Sequence, residues 1–132
     1  MIIKKNKKFI MQSTETWISR VNSNQQLVKR GNWVTLTFTF GIEDTDLLIN
    51  IVNGKINSIK KRTLLTDSGI FRIHGSNKCW EKHWLKVPPR DFHDIFAMLA
   101  KKIISIDGDL LPLIQNLQYF KDLIASNRIS NI

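Results

Sequence analysis

Residues 33–59, WVTLTFTFGIEDTDLLINIVNGKINSI, decide the fold. In the first eight of them apolar and polar side chains alternate. Val34, Leu36, Phe38 and Phe40 fall on one face and Trp33, Thr35, Thr37 and Thr39 on the other, the period of a half-buried strand. Gly41 to Asp46 is a polar turn. Beyond it, Leu47 to Val52 and Ile56 to Ile59 flank the pair Asn53-Gly54, whose tolerance of positive φ suits a two-residue hairpin turn. The stretch therefore predicts three consecutive antiparallel strands.

Working outward toward the C-terminus, a polar run from Lys60 to Ser68 leads to Ile70–His74, a fourth strand closed by Gly75. From Asn77 the period becomes helical, with Trp80, Trp84 and Leu85 on one face, and Pro88-Pro89 ends that segment. Asp91 is then expected to cap a helix whose stripe is Phe92, Ile95, Phe96, Leu99 and Ile103. The β-branched run from Ile103 to Asp107 predicts a fifth strand. Gly108-Asp109 turns it into a final helix carrying Leu110, Leu113, Ile114, Leu117, Phe120 and Ile124, with Pro112 tolerated in the first turn. Toward the N-terminus, Ser13 or Thr14 caps a helix bearing Trp17, Ile18, Val21, Leu27 and Val28. The expected class is α+β: about five strands in a mostly antiparallel sheet, covered on one face by helices. Residues 12–126 form the domain, between a basic flexible leader (1–11) and a frayed tail (127–132).

A chain of 132 residues, 42% hydrophobic, with seven Phe and four Trp, can bury a single core. Its net charge of +9 is uneven, since Lys4, Lys5, Lys7, Lys8, Arg20, Lys29 and Arg30 face only Glu15 in the first thirty residues. Such an end attracts anionic membrane surfaces or nucleic acid, while a solvated terminus is the plainer reading. Specific nucleic-acid binding is not expected, because no aromatics interleave with Arg on a recognisable surface. The single Cys79 cannot form an intrachain disulfide and fits a reducing cytoplasm. No window approaches the roughly 18 apolar residues of a membrane span.

The chemistry-bearing residues point away from catalysis. Cys79 and His83 stand four apart on an expected helix, where a buried, inert thiol is the ordinary outcome. His74, His83, His93, Asp91 and Asp94 lack metal-ligand spacing. Asp107 and Asp109 flank Gly108 at a strand-to-helix turn, where an acidic cap is the natural role. The glycines are single and lie at turns, so no phosphate loop is present. No enzyme activity, metal or cofactor is expected. The aromatic and leucine-rich second half fits a filled core or a ligand cavity, and the residues alone leave both open.

Three segments carry a family resemblance: TFTFGIEDTDLLINIVNGKI, KVPPRDFHDIFAMLAKK and ISIDGDLLPLIQNLQYFKDLI. Together they resemble the sterol carrier protein domain, a non-specific lipid-transfer module, and most of all a bacterial branch with a Pro-Pro-x-x-Phe-His-Asp segment, here Pro88 to Asp94. The resemblance implies an apolar tunnel closed by the final helix. Leu110, Leu111, Ile114 and Leu117 would line it, with Phe92, Phe96 and Leu99 on another wall. Phe38, Trp80 and Trp84 complete the expected lining, the two tryptophans being large enough to fill the space instead. The implied function is binding, with transfer, of a lipid or fatty-acyl-like ligand. Lys60, Lys61 and Arg62, with the leader, would make weak contact with an anionic membrane surface. The alternative is a non-catalytic structural or interaction domain with a closed core, for which a homodimer is open. The ending Ser130-Asn131-Ile132 differs from the targeting tripeptide of the peroxisomal carriers.

Overall fold

Two tight turns set the sheet. Asn53 and Gly54 take φ of 50° and 83°, the left-handed pair a two-residue hairpin needs, and Glu43, with φ 52°, does the same one strand earlier. The computed structural model describes residues 14–64 and 66–128, so the expected leader and residues 129–132 of the tail lie outside the described residues. Helix α1 covers residues 14–23 and α2 Gln25–Arg30. Strands β1 (Leu36–Ile42), β2 (Thr45–Val52), β3 (Lys55–Lys61) and β4 (Phe71–Gly75) follow. Then come α3 (Asn77–His83), α4 (Ile95–Ala100), β5 (Ile104–Gly108), α5 (Leu111–Gln115) and α6 (Leu117–Ala125).

The strands form one sheet in the order β3-β2-β1-β4-β5. Every neighbouring pair is antiparallel except β1–β4, which is parallel. The pleat sorts the faces as the alternation requires. Phe38 pairs with Ile49 and Phe40 with Leu47 and Ile73, all buried against the helices. Ile56 and Ile59 are three apart, a spacing that a regular strand would send to opposite faces. A bulge between Asn50 and Ile51 resolves this by pairing Ile56 with Ile51 and Ile59 with Ile49. The opposite face is polar: Asn50 Nδ2 donates to Thr37 Oγ1 (2.9 Å), and Arg72 and Arg62 converge on Asp46 (3.0 and 3.3 Å).

Helices close the other face. The Trp17 indole N–H of α1 donates to the Leu123 carbonyl (2.7 Å), and the Tyr119 hydroxyl of α6 donates to the Gly54 carbonyl (2.8 Å). That second bond ties α6 to the hairpin turn. A Cβ on Gly54 would stand 2.6 Å from the Val28 carbonyl oxygen and 2.8 Å from that of Gly31, at a backbone angle L side chains resist. Gly54→Ala is expected to lower the urea unfolding free energy by about 2 kcal/mol, and an unchanged midpoint would contradict this packing.

Three expectations are corrected. β1 begins at Leu36 rather than Trp33, because residues 31–33 turn after α2 with Val34 N–H donating to the Gly31 carbonyl; Trp33 is left 93% exposed. Asp94, not Asp91, caps the helix after the prolines, its Oδ1 accepting from Phe96 N–H (2.7 Å). Asp91 sits in the preceding turn with φ 73°. The final helix is two helices, broken at Asn116 (φ −130°, ψ 40°). The break turns Leu113 inward from α5 and Tyr119, Phe120, Leu123 and Ile124 inward from α6, so a single stripe through Ile114 and Leu117 does not form.

Candidate functional site

The residues expected to line a cavity separate into an inner and an outer group. Phe38, Trp80 and Trp84 belong to the inner one. Ser76 caps α3 by accepting from Cys79 N–H (3.1 Å), and from that start Trp80 and Trp84 both turn beneath the sheet. The Trp80 ring lies 4.6 Å from Phe40 and 5.7 Å from Trp84, and Trp17 stands edge-on to Phe40 (5.3 Å) and Trp84 (5.6 Å). Phe38 continues the array, stacked on Phe71 (5.2 Å) and edge-on to Phe120 (5.6 Å). Each buried indole N–H has a carbonyl: Trp80 on Gly41 (3.0 Å), Trp84 on Ile124 (2.8 Å), Trp17 on Leu123. Rings at these separations, with their polar edges satisfied, pack as an interior.

The outer group lies at or near the surface. Phe92 and Phe96 are half-buried, with the Lys82 ammonium 4.8 Å above the Phe92 ring. Leu110 is half-buried against the core, while Leu111 (58%), Ile114 (59%) and Leu117 (40%) are exposed. Leu117 and Lys121 share one face of α6, one turn apart, and Lys121 holds Asp94 at 2.8 Å. Lys121 therefore ties the face of α6 that carries Leu117 to the capped end of α4. Burial pushes the Asp94 carboxyl up, but Lys121 and the Phe96 N–H outweigh it and hold the group below the usual carboxylate range. The ion pair is thus present at neutral pH. Leu99 sits instead on an open groove of about 450 Å³ with Ile103, Ile104, Ile106 and Lys102.

The expected stripe ran through Leu99, whereas a helix that starts at Ile95 points Met98, the fully buried anchor of α4, inward instead. No local signal distinguished Asp94 from Asp91 as the cap.

The reactive candidates are structurally committed. Burial pushes the Cys79 thiol up, against the lowering by Ser76, so a thiolate is disfavoured. His83 Nδ1 lies 2.7 Å from the Phe92 carbonyl and its Nε2 has no partner, so the neutral ring donates from Nδ1. Burial lowers its pKa to about 4. Asp109 Oδ1 accepts from Leu111 N–H (3.2 Å) one residue before the N-cap of α5, which is Leu110 and not the expected acidic residue. Among the described residues no group of three or more His, Cys, Asp or Glu is arranged to hold a metal ion, and no helix is long and apolar enough to cross a membrane.

An α+β sheet in this order, with one parallel central pair and a helical layer on one face, has the sterol carrier protein fold. A sterol carrier protein 2 structure superposes with a TM-score of 0.72 at 10% identity, covering 91% of this chain and 96% of that one. A conserved hypothetical protein of Thermus thermophilus, described as possibly a sterol carrier protein, gives 0.62 at 9% identity, covering 89% and 87%. The fold also matches part of the Pseudomonas alkylsulfatase Pisa1 (TM-score 0.51, 10% identity), covering 79% of this chain and 14% of the enzyme. At these identities the likeness is one of fold. No family model and no curated protein sequence matches the chain.

Proposed function

We propose that the protein binds, and transfers, a lipid or fatty-acyl-like ligand against the apolar surface of α5 and the start of α6. The observation that carries this reading is the exposure of Leu111, Ile114 and Leu117 beside half-buried Leu110, in a helical layer whose other large apolar residues mostly point inward. Apolar area held in water at one place is area a ligand can remove from it, at about 25 cal/mol per Å². Phe92 and Phe96, near the Asp94–Lys121 bridge, would extend that surface, while Phe38, Trp80 and Trp84 stay in the packed interior. The sterol carrier fold supports the ligand class, and the reading assigns the chain no catalytic step. Exposed Lys60 and Lys61 suit weak, salt-sensitive contact with an anionic membrane, whereas Arg62 is engaged by Asp46. A cytoplasmic location belongs to the same reading.

Purified, delipidated protein is expected to bind a fluorescent fatty acid. Leu111→Glu combined with Ile114→Glu should weaken that binding about tenfold or more while leaving the unfolding midpoint in place, since both side chains are already solvated. Absence of binding by the unsubstituted protein overturns the reading. The close-packed rings of Trp17, Phe40, Trp80 and Trp84 favour a second reading, a non-catalytic interaction domain with a closed core. Native mass spectrometry of detergent-free protein separates the two: a co-purified lipid supports the first and bare mass the second.

A further inference from the structure

Trp33 is 93% exposed, whereas Trp17, Trp80 and Trp84 are buried. It stands at a corner where two turns meet. As the chain leaves α2, Asn32 N–H donates to the Lys29 carbonyl (3.3 Å), and Gly54 N–H of the β2–β3 hairpin turn donates to the Val34 carbonyl (3.1 Å). Thr35 Oγ1 accepts from Asn53 N–H (3.0 Å) in the same place. Val52 and Lys55, paired at the end of the hairpin, are both exposed. Two further bonds tie this corner to α6, from the Tyr119 hydroxyl to the Gly54 carbonyl and from Arg30 to Asp122. The exposed indole thus belongs to a braced part of the fold.

The charges at this corner say what it meets. Residues 24–35 and 50–58 hold Lys29, Arg30 and Lys55 and no Asp or Glu. Arg30 is engaged by Asp122, while Lys29 and Lys55 are exposed and form no ion pair among the described residues. Exposed Lys60 and Lys61 continue the positive row along β3, the outer strand of the sheet. An exposed indole and Val52 flanked by uncompensated lysines match an anionic bilayer. The ring lodges at headgroup level with its N–H still wet, and the ammonium groups meet lipid anions. A nucleic-acid strand is the poorer match, because it is held by successive rings along a charged groove and this corner presents one ring. We infer that Trp33 is a membrane anchor: the corner docks on an anionic lipid surface with the indole among the headgroups and Lys29 and Lys55 against them. This anchor deepens the membrane contact proposed above and rests on that part of the reading, not on the ligand surface of α5 and α6.

Tryptophan fluorescence of the full chain tests this, since the other three indoles are already out of water. Vesicles of phosphatidylcholine with phosphatidylserine, at low salt, are expected to shift the emission to shorter wavelength, and brominated lipid in them to quench it; phosphatidylcholine alone should do neither. Trp33→Phe should lose both responses. Trp33→Ala, and Lys29→Glu combined with Lys55→Glu, should each weaken co-sedimentation with the anionic vesicles about tenfold or more, with circular dichroism confirming that they remain folded. Variants that bind these vesicles as the wild type does, or binding without any change in emission, overturn the inference and leave contact through Lys60 and Lys61 standing. No vesicle binding at all overturns both. An emission shift with single-stranded DNA and none with vesicles overturns it in favour of nucleic acid. Fluorescent fatty-acid binding, which Trp33→Ala should leave intact, answers separately for the ligand surface.

Discussion

Trp80→Ala is expected to lower the unfolding free energy by about 4 kcal/mol, measured by urea denaturation. The substitution deletes one of the largest side chains of a fully buried array, leaves a void between Phe40 and Trp84, and removes the indole's bond to the Gly41 carbonyl. Large-to-small changes at such sites cost about 3–5 kcal/mol. The same variant reports on function. If the aromatic array fills the interior, the new void should admit a small aromatic such as benzene, which would restore part of the lost stability by mass action. A loss below about 1 kcal/mol would mean that Trp80 borders existing empty space, and the interior would then have to be read as hollow.

Acidification should act through His83. Burial lowers its pKa to about 4 from the 6.5 of an exposed imidazole, partly opposed by the Phe92 carbonyl. In the folded chain the ring is neutral, while the unfolded chain takes up a proton near pH 6.5. Stability is therefore full above that point, declines as pH falls from 6.5 toward 4, and levels off below 4. The shift corresponds to about 3 kcal/mol. Replacing His83 by Gln, which does not titrate, should flatten this part of the profile relative to wild type. Parallel profiles for the two proteins between pH 7 and 4 would refute the assignment.

Much of the sheet was legible because its signals are local. Alternation over Val34–Phe40 and the Asn53-Gly54 turn depend on neighbours in the chain, and both the inward face and the hairpin are where those residues place them. The parallel pairing of β1 with β4 is not local, since nothing within either strand names its partner. In the helices, apolar content was readable and phase was not. The stripe assumed continuous turns from Leu110 to Ile124, and a single non-helical residue, Asn116, rotates everything after it. After the break Phe120 went inward as expected while Leu117 emerged at the surface; before it, Ile114 is exposed beside the inward Leu113. Asp91 and Asp94 offer the same carboxylate to the same turn, and the packing of Ile95 and Met98 decides between them. Of the candidate site, residue type was visible early, but the division between a packed floor and a solvated rim depends on distances no spacing rule supplies.

The indole of Trp17, bonded to a carbonyl 106 residues further along, bears on how the chain reaches its native state. On the ribosome the first hairpins can form as they emerge and offer α1 Phe40 and Ile56, yet the carbonyl that receives its indole arrives only with α6. Maturation therefore ends with a clasp between the two extremities, and a nascent chain halted before Leu123 should be digested readily by protease at α1.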